Sequence, residues 1–136
     1  MVYLATKYDP AGRWLPREPA IQGRVQRWLA VAADQLVNGP AHARMVRVFG
    51  AKYDLPRAQH IAAKLFRVLD AHLQAQPFVA APEPTIADVA LYSYSAHAPE
   101  GGVSLEPYPH LRAWLSRIEA LPGFVPMPKS PLPQPA

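Results

Sequence analysis

The chain has 136 residues, of which 50% are apolar and 18% are charged. This composition is typical of one globular domain and differs from that of disordered chains. The absence of cysteine excludes disulfides, thiolate nucleophiles and Cys-ligated metal sites. Because there is no signal-peptide pattern and no apolar run long enough to cross a bilayer, we expect a soluble, cytoplasmic protein with no membrane partner.

The positive charge of the chain is dispersed. The net charge is +4, the sequence pI is about 9.6, and arginines occur from Arg13 to Arg117. Nucleic-acid-binding proteins usually concentrate such charge in a patch or in a motif interleaved with aromatic side chains. Since no segment has that pattern, we interpret the arginines as parts of solvated helix faces and expect no nucleic-acid partner.

The first 18 residues have the pattern of a helix end followed by a linker. Tyr3 to Tyr8 have helical apolar spacing, but no capping residue precedes them. A stable helix rarely starts without a cap, so this segment resembles the last turns of a longer helix. Residues 9–12, which read Asp-Pro-Ala-Gly, then break the helix and begin the linker.

A long helix is predicted from about Pro19 to Phe49. Its buried face consists of apolar residues at helical spacing, namely Ile21, Val25, Trp28, Leu29, Ala32 and Leu36. Pro40 removes one amide donor and clashes with the carbonyl four residues back, so we expect a kink or a break within residues 38–40. Gly50 is placed to end this helix.

Two further helices have clear apolar stripes. One is predicted to begin at Asp54, a capping residue followed closely by Pro56, and to end at Gln76. The other is predicted from Tyr108 to Leu121. The stripe of the first consists of Ile61, Leu65, Val68, Leu69 and Leu73, and that of the second of Leu111, Trp114, Leu115, Ile118 and Leu121.

Between these two helices, Thr85 and Asp88 have the spacing of a capping box. In this motif the Thr oxygen accepts from one orphan amide at the helix start, and the acid accepts from another. The helix that follows is uncharged from Val89 through Tyr94. A helix without charges must be surrounded by others, so we expect it at the centre of the core.

The C-terminal segment and the overall pattern define the fold class. Six prolines from Pro122 onward disfavour a helix and predict an extended tail over residues 125–136. Alternation with a period of two residues, which would indicate strands, occurs nowhere in the chain. The sequence therefore predicts an all-α bundle of about five helices.

The sequence contains no recognisable catalytic or metal-binding pattern. The five histidines include no pair at i, i+4, and His60 and His72 lie too far apart on one helix to share a metal. No serine has the flanking glycines of a nucleophile elbow. We therefore expect no metal site and assign no catalytic residue.

Three segments of the sequence carry a family resemblance. Residues 84–94 read PTIADVALYSY, residues 108–115 read YPHLRAWL, and residues 121–124 read LPGF. They resemble the C-terminal helical domain of soluble glutathione transferases. The resemblance implies that residues 1–18 are a remnant of the last helix of a thioredoxin-like N-terminal domain with the inter-domain linker, and that residues 19–124 form the helical domain.

The resemblance also implies a substrate-binding site. Asn38, Ala41, His42 and Met45 share one helical face at offsets of three, four and seven, on the helix that flanks the electrophile pocket in this family. Tyr94 and His97, one turn apart, end the core helix near the same pocket. Packing against a neighbouring helix, exposure to solvent and, for Tyr94, a single buried hydrogen bond are the alternatives.

Two functions from different classes remain open. In the first, the chain is the electrophile-pocket domain of a glutathione transferase, with glutathione as co-substrate, no other cofactor and a hydrophobic electrophile. We then expect it to be inactive as an isolated chain and to pair with a thioredoxin-like domain or with another copy as a homodimer. In the second, it is a stand-alone, non-catalytic interaction module. An apolar face formed by Tyr3, Leu4, Tyr8, Trp14 and Leu15 would serve either association.

Overall fold

The computed structural model describes residues 1–131 and is all-α over that range, as predicted. The helices are α1 (Val2–Tyr8), α2 (Pro19–Val31), a π-helical segment (Ala32–Ala41), α3 (His42–Phe49), α4 (Leu55–Leu73), α5 (Ile86–Ala96), a short 3₁₀ helix (Ala98–Gly101) and α6 (Pro109–Glu119). Because α2, the π segment and α3 form one continuous helix, the described residues contain five main helices, as expected. Residues 124–131 have no regular secondary structure, and the rest of the predicted tail, residues 132–136, lies outside the described part.

The long helix is continuous through Pro40, where a kink or a break was expected, and residues Ala32–Ala41 are π-helical. The amide of His42 donates to the carbonyl of Val37, five residues back, and to that of Gly39. The wider turn of a π helix accommodates a proline that lacks an amide donor. The segment also lies very close to α4, because a Cβ atom on Gly39 would meet the backbone nitrogen of Ala62 at 2.8 Å. Glycine therefore allows the helix contact that a larger residue would prevent. The helix ends at Gly50, which has a φ of 68° as the predicted C-cap requires.

The apolar stripe of α4 differs from the prediction at one position. Leu65, Leu69 and Leu73 are buried, but Val68 is 55% exposed and its assignment to the stripe is wrong. Phe66 is buried instead, with its ring edge-on to Tyr108 at a centroid distance of 5.8 Å. The reason is that α6 packs beside α4, which moves the buried face of α4 toward Phe66.

Helix α5 lies at the centre of the molecule, against α2, the π segment and α6. Its start contains the capping geometry, since the Thr85 amide donates to Asp88 Oδ2 at 2.8 Å and the Ala87 amide donates to Thr85 Oγ1 at 3.2 Å. The enclosure of α5 is incomplete, however. Val89 is 44% exposed, so one edge of this uncharged helix is open, contrary to the expectation that other helices surround it.

Asp88 connects three parts of the fold besides capping its own helix. Its Oδ1 accepts from the amide of Val79 at 2.9 Å and from Trp114 Nε1 at 2.9 Å, while its Oδ2 also accepts from Thr85 Oγ1 at 3.1 Å. The side chain is almost completely buried. One carboxylate therefore fixes the connector before α5, the start of α5 and the centre of α6 relative to one another.

Candidate functional site

A large cleft lies between the π segment and the first half of α4. Its volume is about 520 Å³, within the range usual for small-molecule sites. It is lined by Asp34, Gln35, Asn38, His42, Tyr53, Asp54, Arg57, Ala58, Ile61 and Lys64. Two of the six predicted substrate-binding residues, Asn38 and His42, thus line one cleft.

An aromatic pair forms part of the cleft wall. The rings of His42 and Tyr53 stack in parallel, with centroids 3.8 Å apart and an angle of 6° between their planes. On the same helix Asn38 is oriented by hydrogen bonds from its Nδ2 to the carbonyl and the Oδ1 of Asp34, at 3.0 and 2.7 Å. The arrangement places a planar aromatic surface beside an amide that is held by two hydrogen bonds.

The opposite wall of the cleft is charged. Arg57 and Lys64 lie two turns apart on α4, and Asp54 precedes that helix, where its Oδ1 accepts from the amide of Arg57 at 2.9 Å. Together with Asp34, the two cations and two carboxylates make the lining polar and electrically balanced. Sequence reasoning missed this wall, because helical spacing identifies residues on one helix and not those that face it from another.

The other four predicted substrate-binding residues do not line this cleft. Ala41 is buried, whereas Met45 and Tyr94 are half-buried. His97 is buried at the end of α5, where its Nδ1 lies 2.7 Å from Glu100 Oε1. The structure therefore separates the six residues into two groups, and a shared role in substrate binding stays a prediction.

His97 belongs to a buried network of charged groups. Arg44 Nε donates to Glu100 Oε2 at 2.7 Å, and because the carboxylate can only accept, His97 Nδ1 donates to Oε1. Burial by itself would raise the pKa of Glu100, but the hydrogen bonds from His97, Arg44 and the Ser130 amide outweigh it and lower that pKa. Glu100 is therefore ionised, and it joins α3 to the end of α5.

A separate apolar groove of about 290 Å³ lies between α1 and the open edge of α5. Its lining consists of Met1, Leu4, Ala5, Tyr8, Asp9, Trp14, Ile86 and Val89. The Ile86 amide donates to the carbonyl of Trp14 at 2.9 Å, which attaches the linker to the start of α5. Leu4 and Tyr8 are 56% and 66% exposed, whereas Leu15, placed on the same face by the sequence, packs against the core.

Residues 1–131 contain neither a candidate metal site nor a candidate membrane-spanning helix. Within residues 1–131 no three His, Cys, Asp or Glu side chains lie close enough to hold a metal ion. None of the helices in that range combines the length and the apolar character needed to span a bilayer.

The described residues form an all-α bundle with a Thr-Asp capping box at the start of its central helix. This combination defines a class of domain, and comparison with known proteins identifies that class. The family model of the glutathione S-transferase C-terminal domain matches residues 33–122. The chain therefore belongs to this family.

Individual relatives agree with the family match. The disulfide-bond oxidoreductase YghU of Escherichia coli is 30% identical over 133 residues, which cover 90% of this chain and 45% of that protein. Glutathione S-transferase theta-1 of the mouse is 30% identical over 135 residues, with coverages of 90% and 55%. A glutathione S-transferase structure from Xanthobacter autotrophicus superposes with a TM-score of 0.81 at 29% identity, covering 93% of this chain and 64% of that one. The chain spans about half the length of the curated relatives it matches.

Proposed function

We propose that this chain is the electrophile-binding helical part of a glutathione transferase. In the proposed reaction the glutathione thiolate attacks an aromatic halide, a carbon–sulfur bond forms, the carbon–halogen bond breaks, and halide leaves. The thiol proton is lost when the thiolate forms, since the thiolate is the nucleophile. The observation that supports this function is the family match over residues 33–122, with a fold that superposes on a glutathione S-transferase at a TM-score of 0.81.

Within this proposal the residues of the cleft hold the electrophile. The stacked rings of His42 and Tyr53 provide a flat contact surface, and Asn38 provides a fixed amide. Ala41, Met45, Tyr94 and His97 remain proposed members of the pocket wall. No residue of the 136 is assigned to thiol activation; we propose that a thioredoxin-like domain supplies it, with a homodimer in the cytoplasm as the assembled form.

The isolated 136-residue polypeptide is expected to show no glutathione conjugation, because thiol activation is assigned to another domain. The measurement is turnover of an aromatic halide in the presence of glutathione, compared with the uncatalysed reaction. The circular dichroism spectrum of the same preparation must show a folded helical protein. Turnover above background by the folded chain would contradict this division of roles.

The alternative function is a non-catalytic interaction module, which the apolar groove beside Trp14 and Val89 favours. Such open apolar surfaces on a monomer usually mark an interaction site. Sedimentation of the same purified chain tests whether the groove mediates association. Self-association that Leu4→Asp abolishes, while Val68→Asp on the far helix leaves it intact, would favour the groove as a docking surface.

A further inference from the structure

We propose that residues 125–131 form a releasable strap, which Ser130 latches onto the buried Arg44–Glu100 pair and which covers part of the open edge of α5. The strap goes beyond the proposed transferase function, since it concerns access to an apolar surface rather than the conjugation itself. The segment is attached at both ends, and it lies beside apolar side chains of α5.

The far end of the strap is held by the charged pair. Arg44 Nη2 donates to Ser130 Oγ at 2.8 Å, and the Ser130 amide donates to Glu100 Oε1 at 3.3 Å. Hydrogen bonds to charged groups are about twice as strong as neutral ones. Ser130 lies 86 residues from Arg44 and 30 from Glu100 in the sequence, so these two bonds are long-range contacts that hold residue 130 against α3 and the 3₁₀ helix.

The near end of the strap is held by an aromatic contact. The ring of Phe124 packs edge-on against Tyr92, with centroids 5.1 Å apart, and the Phe124 amide donates to the carbonyl of Leu121 at 3.1 Å. Between the two ends, residues 125–129 form no hydrogen bond within the described part of the chain, and Val125 is 83% exposed. The strap is therefore attached at two points and loose between them.

The latch can open without disrupting the charged pair. Arg44 and Glu100 contact each other directly at 2.7 Å, and Glu100 keeps His97 as a second partner when Ser130 leaves. Pro126, Pro128 and Pro131 keep the segment extended in either state, so that little chain entropy is gained or lost. These features distinguish a reversible attachment from a permanent part of the core.

Opening the strap would expose apolar surface along α5. Val125 and Met127 form one wall of a groove of about 240 Å³, and Trp14, Val89 and Tyr92 contribute to the rest of its lining. Trp14 and Val89 also line the groove against α1. The two grooves therefore adjoin, and release of the strap would enlarge the apolar surface available to a partner.

Amide hydrogen exchange of the full chain tests the latch. The strap amide that is hydrogen-bonded is that of residue 130, and Ser130→Ala is expected to speed its exchange about tenfold relative to an unstructured peptide of the same sequence, as loss of one hydrogen bond to a charged group implies. Amides of α5 should exchange as in the wild type, and Ser116→Ala, on the exposed face of α6, should change nothing. Equal protection of the residue 130 amide in the wild type and in Ser130→Ala would overturn the latch.

Binding of anilinonaphthalene sulfonate, a fluorescent probe of apolar surface, tests what the strap covers. Fluorescence should rise in Ser130→Ala and reach its limit in a chain that ends at Phe124, with Ser116→Ala at the wild-type level. If exchange accelerates in Ser130→Ala while probe binding in both altered chains stays at the wild-type level, the strap does not cover this surface and the proposal fails.

Discussion

Replacing Asp88 with alanine is expected to lower the free energy of unfolding by about 4 kcal/mol, because it leaves buried donors without an acceptor. The amides of Val79 and Thr85 and the indole N–H of Trp114 would all lose their partner. Each unsatisfied buried group costs about 1–3 kcal/mol, with some recovery through local rearrangement. The effect should be far larger than that of an ordinary helix cap.

Two other caps provide the comparison. Asp54→Ala removes the exposed cap of α4, where the carboxylate accepts from the Arg57 amide alone, and should cost about 1 kcal/mol. Thr85→Ala removes the hydroxyl of the buried cap but leaves Asp88 in place, so about 1–2 kcal/mol is expected. Urea unfolding midpoints measure all three. An Asp88→Ala midpoint no lower than that of Asp54→Ala would show that the carboxylate only caps α5.

Replacing Glu100 with alanine is expected to cost about 3 kcal/mol, since it leaves the Arg44 guanidinium buried without a counter-charge. His97 and the Ser130 amide would lose the same acceptor. The double variant Arg44→Met/Glu100→Leu should recover much of this loss, because it removes both charges together. Glu106→Ala, at an exposed loop position, is the matched control and should be neutral.

The stability contributed by Glu100 should depend on pH in a defined direction. Its pKa is lowered in the folded state relative to the ordinary value of 4.5, so the unfolded chain binds the proton more readily. The contribution of Glu100 to the unfolding free energy is therefore fully present above pH 4.5. It is lost as the pH falls through the lowered folded-state pKa. The unfolding free energy of the wild type should fall more steeply in acid than that of Glu100→Ala. If the unfolding free energies of the wild type and Glu100→Ala fall equally with pH, the folded protein does not stabilise the ionised form of the Glu100 carboxylate.

Local signals in the sequence were sufficient for the existence of the helices and for the ends that a capping motif marks. Thr85 and Asp88 predicted the start of α5, and Gly50 predicted the end of α3, because each motif acts within a few residues. The additional role of Asp88 was not predictable in this way. Its partners Val79 and Trp114 lie 9 and 26 residues away, and only the packed fold brings them to one carboxylate.

In the candidate site, too, local sequence patterns predicted one part of the arrangement, and packing between helices determined the rest. Helical spacing placed Asn38 and His42 on one face, and the structure brings both into one cleft. Tyr53, which stacks on His42, and the charged wall of α4 come from across a helix–helix contact that periodicity does not encode. Val68 was misplaced for a related reason, since the position of α6 decides which side of α4 is buried.

Glutathione conjugation by a fusion of this chain with the thioredoxin-like domain of a complete glutathione transferase tests the central claim most directly. We predict turnover of an aromatic halide well above the uncatalysed rate. Asn38→Ala and His42→Ala should raise KM for the halide and leave KM for glutathione unchanged, while Arg67→Ala, on the exposed face of α4, should behave like the parent fusion. A folded fusion that binds glutathione yet conjugates no faster than background, or in which Asn38→Ala and His42→Ala match Arg67→Ala, would contradict the account.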